Sequence, residues 1–348
     1  MEALRKPSGL KLLVTGAPRL GDLLFTFPAV NYLLQHESIQ ALTVLCFDYA
    51  APILAGLSRP VNKLDLPTGS WNLIKRWRML HWINQNNFDA AIVLDDKKSM
   101  RKLLASSKIP AILIESTTGL RKTEQHLQSV LSSFPPVESL QYPTSPIPTV
   151  QLPQGVLESA RCKIASFARP RIAFHVGCQR VGRKGVSFDE VNRTATKLWQ
   201  VERFLELGRM LIARLGAAIL MIGSGQNERA LAEQFAAQLG PGCVNAIGWG
   251  DALETAALLH HCDALVASDG GVLHLGMAVE VKTAAIWGPT PIELFGPIGP
   301  SERLKILRKK VDCSPCKRSE CADKICLSSI SAGEVFTALV ELLNVNIL

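Results

Sequence analysis

The sequence predicts an α/β protein with two Rossmann-like domains in tandem, and three observations predict it. The chain has 348 residues, enough for two domains that each bury a core. Short apolar segments alternate with helix-length segments, which indicates βαβ units and parallel sheets. Prolines crowd between Phe134 and Gln154, where the periodicity is lost. We therefore predict a first domain over residues 1–168, a second over 169–330 and a C-terminal helix over 331–348.

The first domain begins with a buried strand that leads through a turn into an apolar helix. Residues Leu10–Val14 form the strand, and the spacing of apolar residues over Asp22–Leu34 predicts the helix. Four further strands are predicted at Ala41–Cys46, Val61–Leu66, Ala90–Leu94 and Ala111–Ile114.

The second domain repeats this alternation. Its predicted strands are Arg171–His175, Ala217–Ile222, Val244–Ile247, Ala264–Ala267 and Thr283–Ile286. Its predicted helices are Val201–Leu215, Glu228–Leu239, Ala252–His260 and Val272–Val279. The amphipathic segment Ser331–Leu343 closes the chain, with Ser331 as N-cap and Glu334 completing a capping box. Two open α/β domains place a ligand in the cleft between them, facing the carboxyl ends of the strands.

Composition narrows the class of protein. Apolar residues make up 47% of the chain and charged residues 20%, as in a globular protein, and no apolar run reaches the roughly 20 residues that span a bilayer. No signal-peptide pattern is present, so we predict a cytoplasmic protein. The net charge of +8 suits an anionic substrate or a membrane surface, and no signature of nucleic-acid binding accompanies it.

One segment of the first domain mixes tryptophans with basic residues. Trp71–Gln85 contains three tryptophans beside Lys75, Arg76 and Arg78. Such a segment can rest on a membrane interface, or it can be an ordinary helix with one packed face. Both interpretations stay open on the sequence.

The turn after the first strand carries an acid. Arg19-Leu-Gly-Asp22 lacks the middle glycine of a dinucleotide fingerprint, and it lacks the Lys-Ser/Thr pair of a P-loop. Asp22 is therefore either a helix N-cap or a carboxylate aimed into the cleft, where it can act as a general base.

The second domain has two polar turns that point to a nucleotide ligand. One predicted strand ends at His175 and is followed by Gly177 and a long polar insert. Lys197 lies after this insert, just ahead of the next helix. Lys197 is a diphosphate partner or a solvated surface lysine. Glu228 follows the Ile222-Gly-Ser-Gly turn and either accepts from a ribose hydroxyl or is a first-turn helix acid.

The most informative turn is Ser268-Asp-Gly-Gly-Val-Leu-His274, where a strand ends and a helix begins. The main-chain N–H groups of Gly270 and Gly271 and the helix dipole suit an anion. Asp269 and His274 bracket the turn with hydrogen-bonding groups. Gly288 and Thr290 end the next strand beside this phosphate-site candidate.

The order of these motifs resembles glycosyltransferase family 9, the ADP-heptose-dependent heptosyltransferases of lipopolysaccharide core assembly. The likeness rests on five motifs spread over nearly the whole chain: Leu20-Gly-Asp22, His175-x-Gly177, Lys197-x-Trp199, Ser268–His274 and Gly288-Pro-Thr290. It implies a GT-B fold, with two Rossmann-like domains whose parallel sheets face a central cleft. The N-terminal domain would bind the acceptor and the C-terminal domain the nucleotide sugar. The last helix would pack back toward the first domain.

The resemblance also implies an inverting transfer that needs no metal. A heptose or related sugar would pass from a nucleotide-diphosphate donor, ADP-heptose first, to a hydroxyl of an anionic lipopolysaccharide-core-type glycolipid. Asp22 would be the general base. The residues implied for donor or phosphate binding are Lys197, Glu228, Asp269, Gly270, Gly271, His274, Gly288 and Thr290. Peripheral contact with the inner membrane would fit such an acceptor.

Two departures from the family pattern leave the donor sugar and the phosphate contacts open. The chain has His175-Val-Gly177 where the family often has His-Pro-Gly, and Asp269-Gly-Gly271 where it often has Asp-Ser/Thr-Gly. For the function as a whole, the alternatives to a glycosyltransferase are a nucleotide-sugar epimerase or hydrolase of GT-B fold, and a non-catalytic paralogue that binds nucleotide sugars.

Four of the nine cysteines cluster near the C-terminus, at Cys313, Cys316, Cys321 and Cys326. Four thiolates are the ligand number of a structural zinc or iron site. Reduced thiols are the alternative, because a cytoplasmic chain disfavours disulfides. A metal here would hold the segment before the last helix and would take no part in catalysis.

Overall fold

The computed structural model describes residues 9–15, 19–66, 72–94, 98–113, 119–134, 146–177, 188–316 and 318–345. Gly16, Trp71 and residues 178–187 of the polar insert lie outside the described residues. The chain divides into two compact units, Met1–Gln151 and Leu152–Leu348.

The division between the units lies ahead of the boundary that the sequence suggested at residue 168. The reason is the helix Gln154–Ile164, which packs on the helix Ala252–His260 of the second unit. His261, at the C-terminal end of the latter helix, shares a 2.9 Å hydrogen bond between its Nε2 and the Leu157 carbonyl oxygen.

The first unit is a five-stranded parallel sheet with helices. Its strands are β1 (Leu10–Thr15), β2 (Ile39–Cys46), β3 (Asn62–Asp65), β4 (Ala90–Val93) and β5 (Ala111–Leu113). Its helices are α1 (Leu20–Gln35), α2 (Leu73–Gln85), α3 (Lys98–Ala105) and α4 (Lys122–Ser133), and a 3₁₀ helix spans Asp48–Gly56. The strand order is β3-β2-β1-β4-β5. The order therefore reverses between β1 and β4, and α1 begins just after β1 at that point.

The second unit contains a six-stranded parallel sheet. Its strands are β6 (Arg171–His175), β7 (Ala218–Met221), β8 (Cys243–Asn245), β9 (Ala264–Ser268), β10 (Thr283–Trp287) and β11 (Leu304–Arg308). Its helices are α5 (Gln154–Ile164), α6 (Phe188–Thr194), α7 (Val201–Leu215), α8 (Gln226–Leu239), α9 (Ala252–His260), α10 (Gly271–Ala278), α11 (Ile292–Phe295), α12 (Ile325–Ser328) and α13 (Ala332–Leu343). The strand order is β11-β10-β9-β6-β7-β8, the dinucleotide-binding order, with its switch point between β6 and β9.

The predicted strands are confirmed in position, with ends that differ by at most two residues. The central strands β6, β9 and β10 are buried at every residue, so they are continuous apolar runs that the sequence analysis could recognise as strands. Strand β11 was not predicted, because its Lys305 and Arg308 interrupt the apolar pattern at the edge of the sheet. Gly216 follows helix α7 as its C-cap, and its φ of 61° is the left-handed conformation that terminates helices.

The closing helix α13 packs on the second sheet. Val335, Phe336 and Leu339 are buried in a core cluster shared with α7 and the sheet strands. Its predicted capping box is present: the Ser331 hydroxyl accepts from the Glu334 N–H at 3.2 Å, and the Glu334 carboxylate accepts from the Ser331 N–H at 2.9 Å. Among the described residues, no helix has the length and hydropathy to cross a bilayer.

Candidate functional site

Most of the predicted site residues lie at the carboxyl edge of the second sheet. His175 ends β6, Glu228 follows β7, Asp269 follows β9, and Thr290 follows β10. Because parallel strands present their carboxyl ends at one edge, residues far apart in sequence meet there. The edge at the β6–β9 switch point is where this fold binds ligands.

The side chains of Lys197 and Thr290 both hydrogen-bond to Asp269. Its Oδ2 accepts from the Lys197 Nζ at 2.6 Å and from the Thr290 hydroxyl at 2.5 Å. The Asp269 side chain is only 7% exposed, whereas that of Lys197 is 48% exposed. The carboxylate therefore anchors the lysine, whose side chain stays about half exposed. Lys197 and Thr290, both predicted as site residues from the sequence, therefore lie in one cluster.

The N-terminus of α10 adjoins Asp269 in sequence. Gly270 is its N-cap and Gly271 its first residue, so main-chain N–H groups without a partner inside the helix lie at this turn, together with the positive end of the helix dipole. His274 is buried one turn further on. Burial lowers the pKa of His274 to about 4, although the Asp269 carboxylate acts in the opposite direction. The imidazole is therefore neutral at pH 7.

Glu228 and His175 form a second group beside this turn. The Glu228 carboxylate lies so close to Gly177 and Gly223 that a β-carbon on either would come within 2.1 and 2.4 Å of its oxygens. A β-carbon on Gly270 would lie 3.8 Å from the His175 ring, so His175 is near both the carboxylate and the α10 turn. The sequence placed His175 in a motif without giving its side chain a role.

Burial shifts the pKa values of both members of this second group. Burial lowers the pKa of His175 to about 4, and its Nδ1 is buried without a hydrogen-bond partner among the described residues. Burial raises the pKa of Glu228 to about 7, against the smaller opposing effect of the Ser224 N–H, which donates to Oε2 at 2.6 Å. Glu228 lies in the first turn of α8, as one of its two sequence interpretations had it, and its contact with a ribose stays a prediction.

Trp199 holds the Lys197 turn to the sheet, and the sequence alone did not predict this role. Its indole is fully buried and donates from Nε1 to the Ile330 carbonyl at 3.0 Å. Its main-chain N–H donates to the Ser268 hydroxyl at 3.3 Å, which connects the turn to the end of β9. The one sequence feature that pointed to this contact was Ser268, a small polar residue directly before Asp269 whose hydroxyl can accept a main-chain hydrogen bond.

Gly288 has a packing reason that the sequence did not indicate. A β-carbon there would lie 3.0 Å from the Thr196 carbonyl oxygen and 3.2 Å from Leu327. The absence of a side chain lets the end of β10 approach the turn that carries Lys197. Contact of Gly288 with phosphate stays a prediction.

Asp22 lies in the first unit, on α1. The N-cap interpretation of Asp22 is wrong, because α1 begins at Leu20 and its N-cap is Arg19. Asp22 is instead a half-buried acid in the first turn, at the switch point of the first sheet. Tyr49 is a neighbour that the sequence did not single out: burial raises the pKa of its phenol, Arg19 lowers it, and Asp22 raises it.

The four C-terminal cysteines lie in one neighbourhood. Burial raises the pKa of Cys326, and Cys313, Cys316 and Cys321 add to that rise through their charges. These four are free thiols, and in the described part of the chain no set of three or more His, Cys, Asp or Glu side chains is arranged to hold a metal. The zinc or iron prediction is therefore not confirmed.

Comparison with known proteins agrees with this arrangement. A family model described as glycosyltransferase family 9 (heptosyltransferase) matches residues 76–326, well over half of the chain. Lipooligosaccharide heptosyltransferase 2 of Haemophilus ducreyi is 25% identical over 325 residues, which cover 84% of this chain and 85% of that protein.

Solved structures show the same fold. ADP-heptose LPS heptosyltransferase II of Escherichia coli aligns with a TM-score of 0.74 and 17% identity, over 96% of this chain and 99% of that one. A glycosyltransferase family 9 structure from Veillonella parvula aligns with a TM-score of 0.73 and 17% identity, over 97% and 98% of the two chains. The predicted GT-B fold is confirmed.

Proposed function

Since the chain belongs to glycosyltransferase family 9 (heptosyltransferase), we propose that it transfers a heptose or related sugar from ADP-heptose to a hydroxyl of a lipopolysaccharide-core-type glycan. Two names support the choice of substrates: the relative in Haemophilus ducreyi is a lipooligosaccharide heptosyltransferase, and the Escherichia coli structure is an ADP-heptose LPS heptosyltransferase. The structural observation that carries the proposal is the Lys197–Asp269–Thr290 network beside the N-terminus of α10.

The proposed chemistry is an inverting displacement. Asp22 takes the proton of the acceptor hydroxyl, the acceptor oxygen forms a bond to the anomeric carbon, and the bond from that carbon to the diphosphate oxygen breaks. The leaving ADP carries the electron pair. The Lys197 ammonium and the N–H groups at Gly270 and Gly271 stabilise its growing negative charge. No step of this reaction passes through the C-terminal cysteines.

Asp269 has a positioning role in this proposal. An ionised carboxylate facing a diphosphate would repel it, but here Oδ2 is engaged by Lys197 and Thr290. Asp269 therefore aims the lysine, and the neutral His274 adds a hydrogen-bonding group without adding charge. Glu228 is proposed to accept from the ribose hydroxyls of the donor.

The donor is tested by thermal unfolding of the purified protein with a panel of nucleotide sugars. ADP-heptose and ADP are expected to raise Tm, because a ligand stabilises the folded state by RT ln(1 + [L]/Kd). UDP- and GDP-sugars at the same concentration serve as controls. No shift with any nucleotide would contradict the proposed function, and a shift with UDP-sugars alone would contradict the choice of ADP.

The role of Glu228 predicts a pH-dependent donor affinity. Ribose hydroxyls donate to the ionised carboxylate, whose pKa of about 7 means that it is half protonated at neutral pH. Affinity for ADP-glucose, whose diphosphate does not titrate near pH 7, is expected to rise between pH 6 and pH 8 and level off above. His175 and His274, with pKa values of about 4, stay neutral over this window.

The check is calorimetric titration of the wild type and of Glu228→Gln across that pH range. The variant is expected to bind weakly with a flat pH profile, and an unchanged slope would remove Glu228 from the donor site. The effect of pH on stability has the opposite sign. The pKa of Glu228 in the folded protein, about 7, lies above its ordinary value of 4.5. The free energy of unfolding of the unliganded protein is therefore expected to fall as pH rises through about 7.

Because the proposed acceptor is a glycolipid, we also propose that the protein is cytoplasmic and works at the inner face of the inner membrane, with α2 as the surface that meets the lipid. The helix contains no acidic residue. Leu73 is 84%, Ile74 61% and Trp77 62% exposed. Its basic side chains are Lys75, Arg76 and Arg78. Exposed apolar and cationic groups on one helix suit an anionic lipid interface.

Co-sedimentation with phosphatidylglycerol vesicles tests this surface. The wild type is expected to sediment with these vesicles and not with phosphatidylcholine vesicles, and Ile74→Ser/Trp77→Ser is expected to stay in solution. Ile306→Ser, which removes a partly exposed apolar side chain from β11, is the matched control. Equal binding by the α2 variant and the wild type would remove this surface from membrane contact.

A further inference from the structure

The segment from Cys313 to Ser328, called the cysteine segment below, is attached to both parts of the donor site. Its Cys316 N–H donates to the Pro289 carbonyl at 2.9 Å, next to Thr290. Its Cys321 N–H donates to the Thr194 carbonyl at 2.8 Å, three residues before Lys197. The segment therefore contacts the main chain beside each of the two donors to Asp269.

Further contacts bind the segment to the turn that carries Lys197. The Thr196 hydroxyl donates to the Arg318 carbonyl at 2.8 Å, and the Thr196 N–H donates to the Ser319 carbonyl at 3.4 Å. Ala195 and Glu320 form an antiparallel bridge. The two residues ahead of Lys197 are thus held by the cysteine segment.

The residue that holds the other side of the turn is Lys324. Its side chain reaches from the start of α12 into the interior, and the residue is only 3% exposed. Its Nζ donates to the Leu198 carbonyl at 3.1 Å and also to the Asn192 carbonyl. Leu198 directly follows Lys197, so one ammonium connects α6 to the turn that presents the donor-site lysine.

We propose that Lys324 is a positioning residue for nucleotide-diphosphate binding, which it promotes by fixing the Thr194–Leu198 turn so that Lys197 meets Asp269. The proposal rests on the proposed function for the identity of the ligand. Burying an ammonium has a large desolvation cost, which hydrogen bonds to main-chain carbonyls offset. A methionine would fill the same space without donors, leaving the Leu198 and Asn192 carbonyls without this partner and the turn free to relax.

The test compares Lys324→Met with a matched variant at the opposite edge of the sheet. Arg171 is also a buried cation of the second unit, 8% exposed, and its side chain donates to the Phe167 carbonyl at 3.2 Å and the Ala165 carbonyl at 3.0 Å. Arg171→Met therefore removes comparable hydrogen bonds at the amino end of β6, away from the donor-binding edge. Thr196→Val, which loses the bond to Arg318, probes the same turn by a second route.

Two readouts are measured on the full chain: the Kd for ADP, and hydrogen exchange of the 194–201 peptide without nucleotide. Lys324→Met is expected to weaken ADP binding about tenfold, a change equivalent to about 1.4 kcal/mol. It is also expected to speed exchange in that peptide, while the KM for the acceptor stays the same. Thr196→Val is expected to act in the same direction with a smaller effect, and Arg171→Met to lower Tm without either change.

The outcomes separate the two proposals. Wild-type ADP affinity and wild-type exchange in Lys324→Met would overturn the positioning role, as would equal losses in Lys324→Met and Arg171→Met. If Lys324→Met does not fold, Thr196→Val decides by the same two readouts. A wild type that binds no ADP would contradict the proposed function, and the exchange experiment would still decide whether Lys324 fixes the turn.

Discussion

Asp22→Asn is expected to lower the kcat of sugar transfer by about 10³-fold, with the affinity for ADP unchanged. Asparagine keeps the size of the side chain but cannot accept the acceptor's proton, and general-base catalysis contributes roughly 10² to 10⁴ in rate. The donor residues Lys197 and Asp269 belong to the second unit, whereas Asp22 belongs to the first. The measurements are initial rates with saturating donor and acceptor, and ADP binding by calorimetry.

The matched control for this variant is Glu124→Gln. Glu124 is likewise a half-buried acid in the first turn of a helix of the first unit, at the start of α4. Its replacement removes the same helix-dipole interaction, worth about 0.3–1 kcal/mol, without touching the proposed base. Transfer at the wild-type rate by Asp22→Asn would refute the base assignment. Normal ADP binding by a wild type that transfers no sugar would favour the non-catalytic paralogue.

Lys197→Met is expected to weaken ADP binding by about 10²-fold and to lower kcat by a further factor of about 10². A charge-assisted contact to the diphosphate stabilises the bound donor, and it strengthens as negative charge grows on the leaving group. The variant also leaves the buried Asp269 with the Thr290 hydroxyl but without its ammonium partner. Steady-state kinetics at varied donor concentration separate the effect on KM from the effect on kcat.

Lys305→Met is the matched control for loss of a paired lysine. Lys305 is 39% exposed and lies 2.8 Å from the Glu341 carboxylate, so it resembles Lys197 in exposure and pairing but lies on edge strand β11. It is expected to leave both kinetic constants unchanged. Donor binding by Lys197→Met equal to that of Lys305→Met would show that Lys197 is one of many surface lysines, the interpretation that the sequence also allowed.

The fold was predictable because its central strands are uninterrupted apolar runs between turns. Arg171–His175 was predicted to the residue, and helices α7 and α9 coincide with their predicted spans. The errors have local causes. Strand β11 has charged residues in an edge position, and helix α6 lies in a polar insert that lacks an apolar stripe. The preference of a residue for a strand depends on the packing around it, so an edge element with few packed neighbours gives a weak signal in the sequence.

The site was predictable as a set of residue types at strand ends, but its connections were not. Asp269, Lys197 and Thr290 were each named from the sequence, yet their meeting on one carboxylate oxygen depends on strand order. The burial that raises the pKa of Glu228 and lowers that of His175 comes from neighbours distant in sequence. The residues next to Glu228 and His175 in the sequence therefore do not indicate how deeply these side chains are buried.

The sequence by itself determined the α/β class, the positions of the turns and the family resemblance, because these depend on local spacing and on motif order. Only the tertiary structure decided that Asp22 is a first-turn acid and not a cap, that Gly288 makes room for the Thr196 carbonyl, and that Lys324 supports the Lys197 turn. The physical reason is that hydrogen bonds and close packing between strand ends join residues more than a hundred positions apart, as the contact between Lys324 and Leu198 does.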